Sequence, residues 1–232
     1  MPRHIGIAAC SAEGAALCYR TICVEGEGLF GAYGHPEISM HTPPFADYMV
    51  CINRGDWNGV SELMLGSAQK LASIGADFVI CPDNTIHQAL HHIEARSPIP
   101  WLHIADAVSE EAVARGFKRI GITGTRWLVE SEVYPQKFSA RGLEFLRPEP
   151  AERERINRFI MDELVKGVRS AEAVACHQQV IAGLKAKGCD AVVLGCTEIP
   201  LIIDDGNSAL PTLDSTRLLA RAALKRATAE YR

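Results

Sequence analysis

Gly75-Ala76-Asp77-Phe78-Val79-Ile80-Cys81-Pro82-Asp83 and Gly188-Cys189-Asp190-Ala191-Val192-Val193-Leu194-Gly195-Cys196 read as one segment written twice, 113 residues apart. Each runs from a glycine through a short apolar stretch that ends at turn-forming residues, the pattern of a buried strand. Two more pairs keep the same order at nearly the same spacing. Arg3-His4-Ile5-Gly6-Ile7 returns as Lys118-Arg119-Ile120-Gly121-Ile122 at an offset of 115, and Ile99-Pro100-Trp101-Leu102-His103 as Leu210-Pro211-Thr212-Leu213-Asp214 at an offset of 111. A repeat of such long period decides the fold. It implies two half-domains of similar topology.

Working outward, short apolar runs alternate with helical patterns, the βαβ signal of a mostly parallel sheet. Strands are expected at His4–Ala9, Phe78–Cys81, Trp101–Ile104, Arg119–Thr123, Ala191–Leu194 and Thr212–Leu213. Helices are expected at Trp57–Ser73, Asp106–Arg115, Ile156–Lys166, Ala171–Lys187 and Thr216–Ala229, with Ile156, Phe159, Ile160 and Leu164 on one packing stripe. The fold class is therefore α/β, with two pseudo-twofold-related half-domains, each a central mostly parallel sheet flanked by helices. The first is expected to cover 1–103 plus 216–232 and the second 104–215. Open α/β sheets bind ligands beyond the carboxyl ends of their strands, so a cleft between the halves is the expected site. Asp83 and Cys196 hold the same station there, eight residues after Gly75 and Gly188.

Composition narrows the function. With 232 residues, 47% of them hydrophobic, the chain has material for a full core, and its formal charge of -4 gives no basic surplus for a nucleic-acid backbone. No stretch of about 18 apolar residues or signal-peptide pattern appears, which reads as a cytoplasmic protein without a membrane partner. The 8 cysteines are not needed as disulfide staples in a chain with a full core, and with no CxxC pair among them a metal site is not expected.

Asp83-Asn84-Thr85-Ile86-His87 and Gly195-Cys196-Thr197-Glu198-Ile199-Pro200 resemble the two signatures of the aspartate/glutamate (Asp/Glu/hydantoin) racemase superfamily, with Asp83 where the first usually carries a cysteine. Ile5-Gly6-Ile7, Pro100-Trp101-Leu102-His103-Ile104-Ala105-Asp106-Ala107, Gly124-Thr125-Arg126 and Asp214-Ser215-Thr216 extend the resemblance over nearly the whole chain. It implies a PLP-independent isomerase, commonly a homodimer, acting on an amino acid or another small carboxylate. Inversion at Cα needs a base on one face and an acid on the other. Reference pKa values of about 3.9 for Asp and about 8.5 for Cys favour an Asp83 carboxylate and a Cys196 thiol at rest.

Other residues have two readings each. Asp83 reads as catalyst or helix cap, and Cys196 as catalyst or packed thiol. Cys81 is a rival to Asp83, two residues earlier on the same side of an extended strand. Asn84, Thr85 and Thr197 read as donors to the substrate carboxylate or as turn residues. Ser11 and Thr125 read as further donors or caps. His87 and Glu198 fall behind the reacting groups, and Lys166 lies where some relatives place a carboxylate-binding lysine. Phe45 stands where some aspartate racemases bind the distal carboxylate through arginine, and Leu219 where the resemblance places histidine in many relatives. A one-cysteine decarboxylase, a cis-trans isomerase or a non-catalytic small-carboxylate binder remain alternatives.

Overall fold

The computed structural model describes residues 2–229. The chain divides into two compact units, Met1–Ile104 with Thr216–Arg232, and Ala105–Ser215.

In the first unit, strands β1 (Ile5–Ala8), β2 (Ile38–His41), β3 (Phe78–Ile80) and β4 (Trp101–Leu102) form a fully parallel sheet in the order β2-β1-β3-β4. Helices α1 (Ala12–Phe30), α2 (Phe45–Arg54) and α3 (Trp57–Ser73) connect the strands, and β3 leads into a 3₁₀ helix, Thr85–His92. Side-chain alternation sorts the strand residues onto two faces. Ile5, Ile7, Phe78 and Ile80 pack with Ala15, Cys18 and Ile22 of α1, and with Leu219, Ala220, Ala223 and Leu224 near the C-terminus. Ala8 and Val79 pack with Ala68 and Leu71 of α3 on the other face. Each large aliphatic side chain fully buried in this way contributes about 1.5–3 kcal/mol. Leu219 is therefore a core residue.

The second unit repeats the plan. It begins with α4 (Ile104–Ala114, its first residue in unit one), and strands β5 (Arg119–Thr123), β6 (Glu144–Leu146), β7 (Ala191–Leu194) and β8 (Thr212–Asp214) pair in parallel in the order β6-β5-β7-β8. Between them run α5 (Arg126–Val129), α6 (Val133–Ser139), α7 (Pro150–Asp162) and α8 (Ala171–Ala186), and α9 (Ser215–Thr228) returns the chain to the first unit. The expected stripe of Ile156, Ile160 and Leu164 packs with Val180, Ile181 and Leu184 of α8 against Val192 and Leu194. The single helix expected over Ile156–Lys166 begins earlier, at Pro150, and gives way at Asp162 to a 3₁₀ turn, Leu164–Lys166. A proline at its first turn and reciprocal bonds between Glu149 and Glu152 fix that start.

Both halves secure the register of their inner strands in the same way. Gly75 and Gly188 have φ of 92° and 89°, a left-handed turn that favours glycine. Two residues later, Asp77 Oδ2 accepts the His4 amide at 2.6 Å, and Asp190 accepts the amides of Lys118 at 2.7 Å and Arg119 at 3.1 Å. The Asp77 and Asp190 amides donate back to the His4 and Arg119 carbonyls, both at 2.9 Å. The register that follows is Ile5 with Phe78 and Ile120 with Ala191.

His177 of α8 is wholly buried. Its Nδ1 lies 2.7 Å from the Ala173 carbonyl, which places the proton there, and Nε2 meets no partner among the described residues. Burial pushes its pKa below the usual value, outweighing the carbonyl. An unfolded histidine titrates near about 6.5, so this stabilisation is complete above that pH and is lost as the pH falls toward the lower folded value. The melting temperature is expected to drop from pH 7 to pH 5, and His177→Gln to flatten part of the drop. The same slope in both proteins would clear His177 of the effect.

Candidate active site

The turn after β7 holds Cys196, Thr197 and Glu198, all nearly inaccessible. The Cys196 thiol donates to Glu198 Oε2 at 2.9 Å, and the Thr197 hydroxyl donates to the same oxygen at 2.8 Å. Glu198 is 2% exposed and forms no ion pair with any described residue. A buried carboxyl group is costly unless it is hydrogen-bonded, and here a thiol and a hydroxyl both donate to Oε2. Chemically, the pair lets a proton move between Sγ and Oε2 with little displacement of either side chain.

Close backbone approach sets the Cys196 turn. The Gly195 amide donates to the Thr123 carbonyl at 2.9 Å, and a Cβ on Gly195 would collide with that oxygen and with Leu128. Thr123 Oγ1 donates to the Val193 carbonyl at 2.6 Å, and Ser215 Oγ to the Leu194 carbonyl at 2.8 Å. The last turns of β5 and β7 and the first residue of α9 are thus tied together around the thiol's strand.

At the equivalent station in the first unit, Asp83 is half-buried. Its Oδ1 accepts the amides of Thr85 at 3.0 Å and Ile86 at 3.4 Å, capping the 3₁₀ helix. Asn84 and Thr85 are buried at the head of that helix. Asp83 therefore satisfies the first amides of that helix from the position before its N-cap, Asn84. His87 turns back beneath it: Nε2 lies 3.0 Å from the Cys81 carbonyl, an acceptor, so Nε2 carries the proton, and the ring packs 4.6 Å from that of His103. Cys81 is fully buried. Burial first, and then the Asp83 charge, push its pKa well up, against a smaller lowering by the Asp83 amide. A thiolate there is disfavoured.

Ser11 and Thr125 occupy equivalent turns after β1 and β5, and both are N-caps: Ser11 Oγ accepts the Gly14 amide at 3.4 Å and Thr125 Oγ1 the Leu128 amide at 3.3 Å. Lys166 is exposed on the 3₁₀ turn before α8. Phe45 opens α2 half-buried, directly after Pro44. Asp106, part of the matched Pro100–Ala107 stretch, is held by Lys137 at 2.8 Å and Arg141 at 3.0 Å, a structural ion pair. Asn157 is an addition that no spacing in the sequence announces. Buried on α7, its Oδ1 accepts the Arg126 amide at 3.0 Å and so braces the turn that carries Thr125. No group of three or more metal-ligating side chains forms among the described residues, and none of their helices is long and apolar enough to cross a membrane.

With this geometry in place, comparison with known proteins is informative. Residues 27–223 match the model of the Asp/Glu/Hydantoin racemase family. The chain belongs to that family. It is similar to the broad-specificity amino-acid racemase RacX of Bacillus subtilis (strain 168), with 24% identity over 202 residues covering 84% of this chain and 85% of RacX. Among solved structures, a Yersinia pestis protein classed with the Asp/Glu racemases superimposes with a TM-score of 0.88 at 30% identity, covering 97% of this chain and 99% of that one. An aspartate racemase homologue from Pyrococcus horikoshii OT3 gives 0.83 at 26% identity, covering 98% and 100%.

Gly195→Ala is expected to cost about 1–3 kcal/mol in urea denaturation, because the added methyl meets fixed backbone. Gly28→Ala, in an exposed turn of α1 with nothing within 4 Å of the new methyl, is expected to gain about 0.5–1 kcal/mol.

Proposed function

We propose that this chain is a cofactor-independent amino-acid racemase or epimerase in which Asp83 and Cys196 serve one α-carbon from opposite faces. The observation that carries the reading is their equivalence. Each follows the third strand of its own parallel sheet, six residues beyond the aspartate that clamps the first strand. The likeness to RacX supports the reaction class.

In one direction the Asp83 carboxylate takes the α-proton, and the C–H electron pair passes into the substrate carboxylate as an enediolate-like species. The Cys196 thiol then gives its proton to the opposite face and is left as thiolate. In the reverse direction the thiolate takes the α-proton and the Asp83 carboxylic acid supplies one. Glu198, hydrogen-bonded to Cys196, accepts the thiol proton whenever the thiolate must form without substrate. Asn84, Thr85, Thr197, Ser11, Thr125 and Lys166 are the proposed donors to the substrate carboxylate, where negative charge grows, with His87 behind Asp83. Following the family resemblance, the active form is taken to be a homodimer.

Incubation with the common L-amino acids and with substituted malonates in deuterated water, followed by proton NMR and chiral chromatography, tests the reaction class. Loss of the Cα–H signal together with the D enantiomer is the expected outcome. Carbon dioxide release without racemisation would instead mean a decarboxylase, and binding without exchange a carboxylate-binding protein. Asp83→Asn keeps an acceptor for the Thr85 and Ile86 amides, so it separates capping from proton transfer. It and Cys196→Ala are each expected to lower turnover by at least about 10³-fold, and Cys81→Ala to leave turnover intact. Glu198→Gln preserves shape while removing the base beside the thiol, and is expected to slow turnover about 100-fold at an unchanged melting temperature.

A further inference from the structure

Tyr48 carries a polar group that the fold does not use. It lies with Ile52 on the buried face of α2, wholly inaccessible, and its hydroxyl meets no hydrogen-bond partner among the described residues. A buried hydroxyl left in that state costs stability that a phenylalanine at the same place would not. Its presence calls for a reason.

The surroundings of the hydroxyl supply one. Strands β1 and β3 pair with Ile7 opposite Ile80. Three residues further along each chain stand Cys10 and Asp83, past the carboxyl ends of the two inner strands. Tyr48 lies beside both. Burial pushes the phenol's pKa up, and Cys81, Cys10 and Asp83 add to the rise in that order. The hydroxyl therefore keeps its proton and has it to give. Ser67 of α3 is the remaining neighbour, and it is engaged. The Lys70 ammonium can only donate to His41 Nε2, at 3.0 Å, so His41 Nδ1 carries a proton and donates it to Ser67 Oγ at 3.0 Å. Ser67 in turn donates to the Leu63 carbonyl at 3.1 Å. Cys10 and Cys81 are buried thiols, which accept weakly. Of the groups around Tyr48, a carboxylate gains most from a donated proton, since a hydrogen bond to a charged acceptor is roughly twice as strong as a neutral one.

We propose that Tyr48 is a positioning residue for Asp83, its hydroxyl donating to the carboxylate and holding it ionised and oriented for proton abstraction. The amides of Thr85 and Ile86 meet Oδ1, and the hydroxyl serves the second oxygen when the carboxyl group turns toward α2. The other ionisable groups on the elements around the pair are Cys18 of α1, His41 at the end of β2, the exposed Asp47 of α2, Lys70 of α3, and His87 with His103. The proposal rests on the racemase reading for the use made of Asp83, but not for the contact itself.

The test is Tyr48→Phe, which removes one oxygen and keeps the ring. The carbon-13 carboxyl resonance of Asp83, identified by its loss in Asp83→Asn, is followed through a pH titration. Its midpoint is expected to rise in Tyr48→Phe by at least about one pH unit, a tenfold gain in proton affinity, at an equal or higher melting temperature. A midpoint that stays in place overturns the proposal, whatever the melting temperature does. Ser67→Ala, which removes the neighbouring hydroxyl, is expected to keep the native midpoint, and a rise there equal to that of Tyr48→Phe overturns the proposal too. These titrations need no substrate. In Cα–H exchange, Tyr48→Phe is expected to move the acid limb of the pH profile upward by the same amount and to lower kcat about tenfold at nearly unchanged KM; an acid limb that does not move overturns the positioning role. If the unaltered protein exchanges no amino acid, the racemase reading falls and the titration still decides the contact.

Discussion

A carboxylate that accepts backbone amides at the start of an inner strand governs both halves of this molecule. Asp77 and Asp190 each grip the residues that open the first strand of their sheet. Parallel strands have no hairpin turn to set their register, so an external lock of this kind does the work. With register fixed at Ile5 against Phe78 and Ile120 against Ala191, the distance to the strand ends is fixed too. A slip of one residue would move every side chain to the wrong face, sending Ile80 and Leu194 out of their cores and rotating Asp83 and Cys196 away from the strand ends.

The two strand ends are chemically unlike although they are built alike. In one, a carboxylate stands at the station itself and is drawn toward the amides of the helix it caps. In the other, a thiol stands there and the carboxylate lies two residues on, holding the thiol's proton. Each half therefore brings one carboxyl group to its turn, directly through Asp83 and at one remove through Glu198. Glu198 is buried beside neutral donors, a thiol and a hydroxyl, and its burial is tolerable only because it is hydrogen-bonded.

The sequence made the repeat legible because buried parallel strands leave continuous apolar runs, and Gly-x-Asp before each run marks a left-handed turn and a clamp. Strands β2 and β6 were not legible. They are edge strands with half-exposed side chains, interrupted in pattern by Met40 in one and opened by Glu144 in the other. Helix α1 was missed because its buried positions are filled by Gly14, Ala15, Cys18 and Gly26 among others, small residues that leave a faint hydrophobic period. In the site, Asp83, Cys196 and their neighbours could be picked from matched spacing. Ser11 and Thr125 could be picked too, but not what their hydroxyls do, since a cap and a ligand donor have the same residue type. The thiol–carboxylate contact and the Asn157 brace depend on side-chain direction across turns and helices, which no periodicity encodes.

The return of α9 to the first unit has a consequence for how the protein is made. Leu219, Ala220, Ala223, Leu224 and Ala227 complete a core whose other buried members lie before residue 105. The second unit, by contrast, is an uninterrupted stretch of chain. Domains fold as units during synthesis, in the order in which they emerge. On the ribosome the later-made half is thus free to mature while the earlier-made half waits with an apolar flank uncovered. Residues 219–227 must be made before that flank is sealed, after the whole of the second unit has been synthesised.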